Sequence, residues 1–427
     1  MMNLGTILRP LEGLGLLTVS DQLVVGTTIE EAVLLDQAVA DALGSEGWAV
    51  RQKAAFESIH ALIGAIAARL GISGDREIVD LATELFATIG LGQLRFELSA
   101  TGGQVVGTDL LFGAGLRDRS GSGFRARHAA DAFAAGFAAA AASIAHPSDW
   151  GSFEAEETEC VAKGDALCRF NLTRRPLSTP VGEGLGRSDA EQLLGPDEPP
   201  ETDPSQIELA ARDVVSACVA DERGIVEVAG CRLAFLPAAY RAQIVYDTLH
   251  LLEKRSTAAL RGRDERPARL APVFMELVRE ASRNGAFALI GSLVDSAPLR
   301  EAFGLMGGDP NEAISRLVSV ANALGWGALS VGDHAAGTRL SLSTPMTTDA
   351  VFYAARHGGT PQPRLPTLQG VAEAIWLLAI GVDWAAGFDR RRYGELAQRG
   401  PELSVEEVRS VLSGDRECEV TVSHHRA

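Results

Sequence analysis

The chain has 427 residues, a formal net charge of −17, 46% hydrophobic and 22% charged residues, and five cysteines. Such a length supports two to three domains with cores of their own. The acidity disfavours a nucleic-acid partner, because the basic clusters are short runs such as Arg261 to Arg269 and Arg390 to Arg392. An odd, low cysteine count argues for reduced thiols and against a disulfide framework.

Residues 1–29 form an N-terminal segment. Its MMNLGTILRPLEGLGLLTVS has no basic stretch leading into a continuous apolar run, so it does not read as a signal peptide and a cytoplasmic location is expected. A first unit spans residues 30–174. Within it Ile78, Leu81, Ala82, Leu85, Phe86 and Ile89 keep helical spacing and stop at Gly90. GLGQLRFEL follows, alternating Leu94, Phe96 and Leu98 with polar residues as a half-buried strand does. The longest apolar run, Ala132 to His146, is mostly alanine and shorter than the ~20 residues a membrane span needs. A buried helix and no membrane span are therefore expected.

The unit closes on ECVAKGDALCRF, Glu159 to Phe170. If Lys163-Gly164-Asp165 is a three-residue turn, Cys160 faces Cys168, Glu159 faces Arg169 and Thr158 faces Phe170. Residues 175–206 read as a flexible linker, since Arg174 to Pro204 holds six of the chain's 18 prolines and no sustained period.

The second unit, 207–427, starts with a hairpin predicted to turn at Ala229-Gly230 and a helix over Ala238 to Lys254; Pro267 to Met306 also reads as helical. Asp309, Pro310 and Glu312 then make an N-cap, a first-turn proline and a capping acid ahead of the stripe Ile314, Leu317, Val318, Ala321 and Leu324. This helix stops at Gly325 and runs into GWGALSV, as the earlier one runs into GLGQLRF. KGDALCRFNL likewise lines up with SGDRECEVTV, and long apolar helices, His128 to Ile144 and Leu368 to Trp384, precede the two. The offset is 235 residues at Gly92/Gly327 and 250 at Gly164/Gly414. The pattern is that of a diverged tandem duplication, with an α+β fold in which helices cover small, mostly antiparallel sheets.

Helix, Gly-Leu-Gly, strand, apolar helix and the closing C-x-x-K-G-D-x-x-C-R-F together resemble the 4-vinyl reductase domain. That family is related to haem-NO-binding-type sensors and TRAPP-type vesicle-tethering subunits. The resemblance covers residues 30 to 174 well and 237 to 424 weakly. It implies a bacterial or archaeal protein whose domain binds an apolar small molecule and passes the signal to a second unit, to another protein or within a homo-oligomer. The phenol-sensing relatives hold zinc with a Cys on the long helix and an upstream Glu beside the hairpin cysteines. Here HAADAFAAGFAAAAASI has no cysteine; its only plausible ligands are His128 and Asp131, with His146 just beyond.

For Cys160 and Cys168 the first reading is buried strand thiols, the second a zinc site completed by Glu156 and His128, and the last a disulfide. Phe133 and Phe137, one turn apart, with Phe112, Phe124 and Trp150 beside them, are the expected apolar ligand pocket; the competing reading is that they simply pack against a neighbouring helix. No dinucleotide loop, Walker phosphate loop or nucleophile–base pair is visible, so binding is expected and turnover is not. A non-catalytic sensor or regulatory adaptor is the leading function. A TRAPP-like scaffold and a participant in chlorophyll-type 4-vinyl reduction are the alternatives.

Overall fold

The computed structural model describes residues 3–120, 126, 130–176, 184–195, 203–262, 270–303, 309–335, 337–360, 365–397 and 403–424. A short helix α1 (Leu4–Ile7) leads into strands β1 (Leu8–Leu11), β2 (Leu16–Val19) and β3 (Gln22–Thr28). Helices α2 (Ile29–Leu43), α3 (Ser45–Leu70) and α4 (Asp75–Thr88) follow, then β4 (Gln93–Leu98), β5 (Gly102–Thr108), α5 (Leu111–Ser120), α6 (Ala132–Ala145), β6 (Gly151–Glu159) and β7 (Cys168–Pro176). Helices α7 (Arg187–Leu194) and α8 (Gln206–Ala217) bridge to the second half.

The second half repeats the succession. It runs β8 (Val226–Val228), β9 (Cys231–Pro237), α9 (Ala238–Gly262), α10 (Leu270–Asp295), α11 (Ala297–Phe303) and α12 (Pro310–Asn322). Then come β10 (Ser330–Ala335), β11 (Arg339–Thr344), α13 (Thr348–His357), α14 (Pro366–Gly381), α15 (Arg390–Ala397), β12 (Leu403–Arg409) and β13 (Cys418–His424). The fold is α+β. Two four-stranded antiparallel sheets share one strand order, β4-β5-β7-β6 and β10-β11-β13-β12. Between them a third sheet, β1-β2-β3-β9-β8, takes strands from both ends of the linker.

That middle sheet shows how the halves meet. Strands β3 and β9 pair antiparallel from Val24 opposite Pro237 to Thr28 opposite Leu233, with Gly26 and Phe235 at the centre. Each strand runs directly into its helix, α2 or α9, so the pair has a pseudo-two-fold axis between Gly26 and Phe235. The contacts beyond obey the same symmetry. Phe235 N–H donates to Ile89 O at 2.9 Å and Gly26 N–H to Leu324 O at 3.2 Å, while Gly92 N–H reaches Gly224 O and Gly327 N–H reaches Gly15 O, both at 3.0 Å. Helix α3 packs on α9 and α10 packs on α2. Each half therefore seats its opening hairpin on the other.

The hairpin between β8 and β9 turns at Ala229 and Gly230, with φ of 45° and 76°. Part of the segment read as linker is folded onto β3: Leu23 N–H donates to Leu185 O and Arg187 N–H to Asp21 O, both at 2.8 Å, just before α7.

Composition explains the closeness of α6 to α3. A Cβ added at Gly136 would stand 2.5 Å from Gln52 O and 2.6 Å from Ala55 Cβ, so the alanine-rich face lets two backbones approach without a gap. Gly136→Ala is expected to lower stability by about 1–3 kcal/mol through overpacking. Gly64→Ala on α3, where nothing lies within 4 Å, is expected to be neutral or to stabilise by up to ~1 kcal/mol. Thermal melts of the two variants side by side check the contrast. Among the described residues no single helix is long and apolar enough to cross a membrane.

Candidate metal centre

Strict alternation along β6 turns Phe153, Ala155 and Glu157 inward and leaves Glu154 and Glu156 outside. The alternation then breaks. Glu157 is opposite Phe170 and Glu159 is opposite Arg169, so Thr158 is an extra residue, a β-bulge. The Thr158–Phe170 pairing expected from an unbroken hairpin is thus displaced, while Glu159 and Arg169 do meet, as an ion pair of 3.1 Å. The bulge matters chemically, because residues 157 and 160 would otherwise point to opposite faces. With it, both face the interior. A single 3-10 turn, Val161–Lys163, closed by Gly164 at φ 99°, brings the chain back to Cys168 at the head of β7. Asp165 fastens this turn by accepting from Cys160 N–H at 2.8 Å.

Asp131, the residue before α6, completes the group. One ligand atom each from Asp131, Glu157, Cys160 and Cys168 lies within 4.8 Å of all the others, and all four residues are buried. Asp131 is held from several sides. Gly113 N–H donates to its Oδ1 at 3.0 Å, Cys168 Sγ donates to its Oδ2 at 3.3 Å, and its own N–H donates to Glu157 Oε2 at 3.0 Å. Val161 N–H points at Cys168 Sγ from 3.5 Å. Glu157 Oε1 is buried and has no hydrogen-bond partner among the described residues. No Lys, Arg or His side chain among them pairs with any of the four.

With no cationic side chain paired to them among the described residues, Asp131, Glu157 and Cys168 hold their protons past neutrality, and Cys160 is the group that gives its proton up. Burial, followed by the charge of Glu157, pushes the Asp131 carboxyl up to about 8. Burial, followed by the charge of Cys160, pushes Glu157 up to about 9. The hydrogen bond from Cys168 pulls the Cys160 thiol down to about 6, and that same bond, with burial, pushes Cys168 up. A cation bound among these four groups would displace the protons they carry. Two sulfurs and two carboxylate oxygens are donor types of a tetrahedral zinc site, and their separations of up to 4.8 Å would have to close to edges on the order of 3.3–3.8 Å for bonds of ~2.0–2.3 Å. Four donors from the protein would leave no open position on such an ion, which is the pattern of structural and not catalytic centres.

The sequence-derived ligands divide. Cys160 and Cys168 come together here; Glu156 is exposed on the outer face of β6, and its place is taken by Glu157. His128 and Phe124 lie outside the described residues. His146 pairs instead with Asp75 at 3.0 Å. Of the aromatic residues, Trp150 is 60% exposed, whereas Phe112, Phe133 and Phe137 are buried in one chain of rings. Phe86 meets Phe137 edge-on at 4.8 Å, and Phe133 lies 5.8 Å from Phe112 and 4.6 Å from Tyr240. Tyr240 arrives from α9 in the second half, and its buried hydroxyl has no hydrogen-bond partner among the described residues.

The second half carries the same scaffold without the same donors. Its bulge recurs between Glu407, opposite Val420, and Arg409, opposite Glu419. Leu365 N–H donates to Glu407 Oε2 at 3.2 Å, as Asp131 N–H does to Glu157, and Ser410 N–H donates to Asp415 Oδ2 at 2.9 Å, as Cys160 N–H does to Asp165. Leu365 therefore stands for Asp131 and Ser410 for Cys160. Cys418 remains, its thiol pushed up to about 12 by burial. A glutamate three residues before the first hairpin position in both copies was the signal in the sequence that marks Glu157.

No protein-family model matches the chain, and no curated protein is significantly similar to it. Among solved structures, the crystal structure of the phenol-responsive sensory domain of the transcription activator PoxR with phenol aligns at a TM-score of 0.35 and 18% identity, covering 40% of this chain and 86% of that one.

Proposed function

We propose that the protein is a non-catalytic, small-molecule-binding sensor or regulatory adaptor whose first half is stapled by a structural zinc ion. The observation that carries this reading is the buried Asp131–Glu157–Cys160–Cys168 cluster, which offers four donors and, among the described residues, an orphaned carboxylate oxygen and no ion-paired cationic side chain. Zinc suits mixed thiolate and carboxylate donors in a tetrahedron. Bound there, it would supply the positive charge that lets Asp131, Glu157, Cys160 and Cys168 all ionise in the interior. Asp131, Gly113 and Val161 would then be fixed together, and with them the starts of α5 and α6 that carry Phe112 and Phe133.

The ligand half of the reading rests on those rings. Phe86, Phe112, Phe133, Phe137 and Tyr240 make an aromatic chain with one hydroxyl that has no hydrogen-bond partner among the described residues, a setting for a flat apolar molecule with a single polar group. The resemblance to the 4-vinyl reductase domain and the repeated order of elements fit a duplicated sensor of this kind. The scaffold alternative is favoured by one fact, that the rings already fill space by touching one another.

Native mass spectrometry of protein purified without chelator tests the proposal. A mass excess of one zinc, together with a small organic adduct that Phe133→Ala abolishes, is the expected spectrum. Zinc without any adduct, and no thermal shift with a panel of monocyclic aromatics, would sink the sensor in favour of the scaffold.

A further inference from the structure

We infer that the second half is a partner built into the chain that has itself given up binding, so that each chain is an internal dimer with one metal centre. This rests on the metal reading above and extends it from one half to the relation between the two.

The pseudo-two-fold axis makes the comparison exact in position. Tyr240 is the third residue of α9, and its counterpart, the third residue of α2, is Glu31. Phe112 and Phe133 are the second residues of α5 and α6, and the second residues of α13 and α14 are Asp349 and Thr367. In the first half these three places form the aromatic contact of Phe112, Phe133 and Tyr240. In the second they are drawn together by the Arg241 guanidinium, 2.5 Å from Glu31, 3.0 Å from Thr367 and 3.6 Å from Asp349. An ion-paired knot thus closes the place where the other half presents aromatic rings.

The metal cluster is disarmed in the same half. Glu407 and Cys418 keep their places, but Leu365 and Ser410 remove one carboxylate and one thiol, and two donors do not hold a structural zinc. The surfaces that meet across the axis are equivalent elements of the two halves. Here they are already covered in cis by reciprocal hairpins and by α3 on α9 and α10 on α2.

Cobalt(II) titration of the full-length protein, stripped of metal, tests this through the thiolate-to-cobalt absorption. The wild type should saturate at one equivalent, and Leu365→Asp/Ser410→Cys at two, because Glu407 and Cys418 are waiting. Ser410→Cys alone, a near-isosteric change, guards against misfolding of the double variant and should add a weaker second equivalent. No cobalt in the wild type overturns the metal reading itself. Two equivalents in the wild type overturn the asymmetry of the halves, and no added equivalent in either variant, with an unchanged circular dichroism spectrum, overturns the reading of the second half as a metal site disarmed at Leu365 and Ser410.

Discussion

Cys168→Ser is expected to strip the metal from the purified protein and to lower its unfolding midpoint by about 10 °C, as is Glu157→Gln, whereas Glu156→Gln should change neither. An ion a thousandfold above its dissociation constant contributes about 4 kcal/mol. At ~2–4 °C per kcal/mol for a cooperative unit of this size, that gives on the order of 10 °C. The neighbouring glutamates make the sharper comparison, since they differ in chemistry not at all and in direction completely: the one faces Cys160 and Cys168, the other water.

The stripped protein should also respond to pH in a defined direction. Folded Asp131 and Glu157 keep their protons to about 8 and about 9. In the unfolded chain they lose them near 4. Between those limits the folded state binds more protons at these two groups, so stability falls as pH rises, by up to ~1.4 kcal/mol per pH unit for each; Cys160, lowered to about 6, opposes this above pH 6 by one group's share and leaves the net slope downward to about pH 8. Metal displaces those protons, so its affinity should rise over the same window. Urea titrations at pH 6 and pH 8.5, with and without chelator, read both effects: the chelated protein should be weaker at the higher pH.

Arg241→Ala is the second large expected effect, a loss of about 3–5 kcal/mol, because it leaves buried carboxylates without their counter-charge. Arg241 is 3% exposed and links Glu31 of the first half to Ser282, Thr367 and Asp349 of the second. Among the described residues Asp349 Oδ2 already lacks a hydrogen-bond partner, so none of them replaces the guanidinium. Replacing Glu31, Arg241 and Asp349 together by leucine, methionine and leucine should recover most of the loss, since a buried ion set is often worth no more than apolar residues of the same volume. Calorimetry should show the single variant unfolding in two separated steps, as the halves uncouple. A shift under ~1 kcal/mol for Arg241→Ala would mean that the knot is not what joins them.

Much of the fold is legible from local pattern. Helix α4 ends at Gly90 because a left-handed residue is needed there and because a side chain would collide with Leu233 O, 2.3 Å from its Cβ position. The repeated GD-x-x-C close and the Ala229-Gly230 turn are equally local signals. The reciprocal seating of the hairpins was not readable, since pairing β3 with β9 spans some two hundred residues and leaves no periodic trace. The metal cluster lay in between. Its cysteines are visible as a pair, but an unbroken strand would put Glu157 and Cys160 on opposite faces, and only the bulge at Thr158 reconciles them. Asp131 was legible as a residue near the long helix and not as one whose carboxylate faces the hairpin.

The most direct measurement is the metal content of protein purified without chelator, by inductively coupled plasma mass spectrometry. One equivalent of zinc per chain, lost in Cys168→Ser and kept in Glu156→Gln, is the predicted result. Less than about a tenth of an equivalent, in protein whose melting is unmoved by chelator or added zinc, would contradict it, since a structural site should hold its ion with ~10 kcal/mol or more.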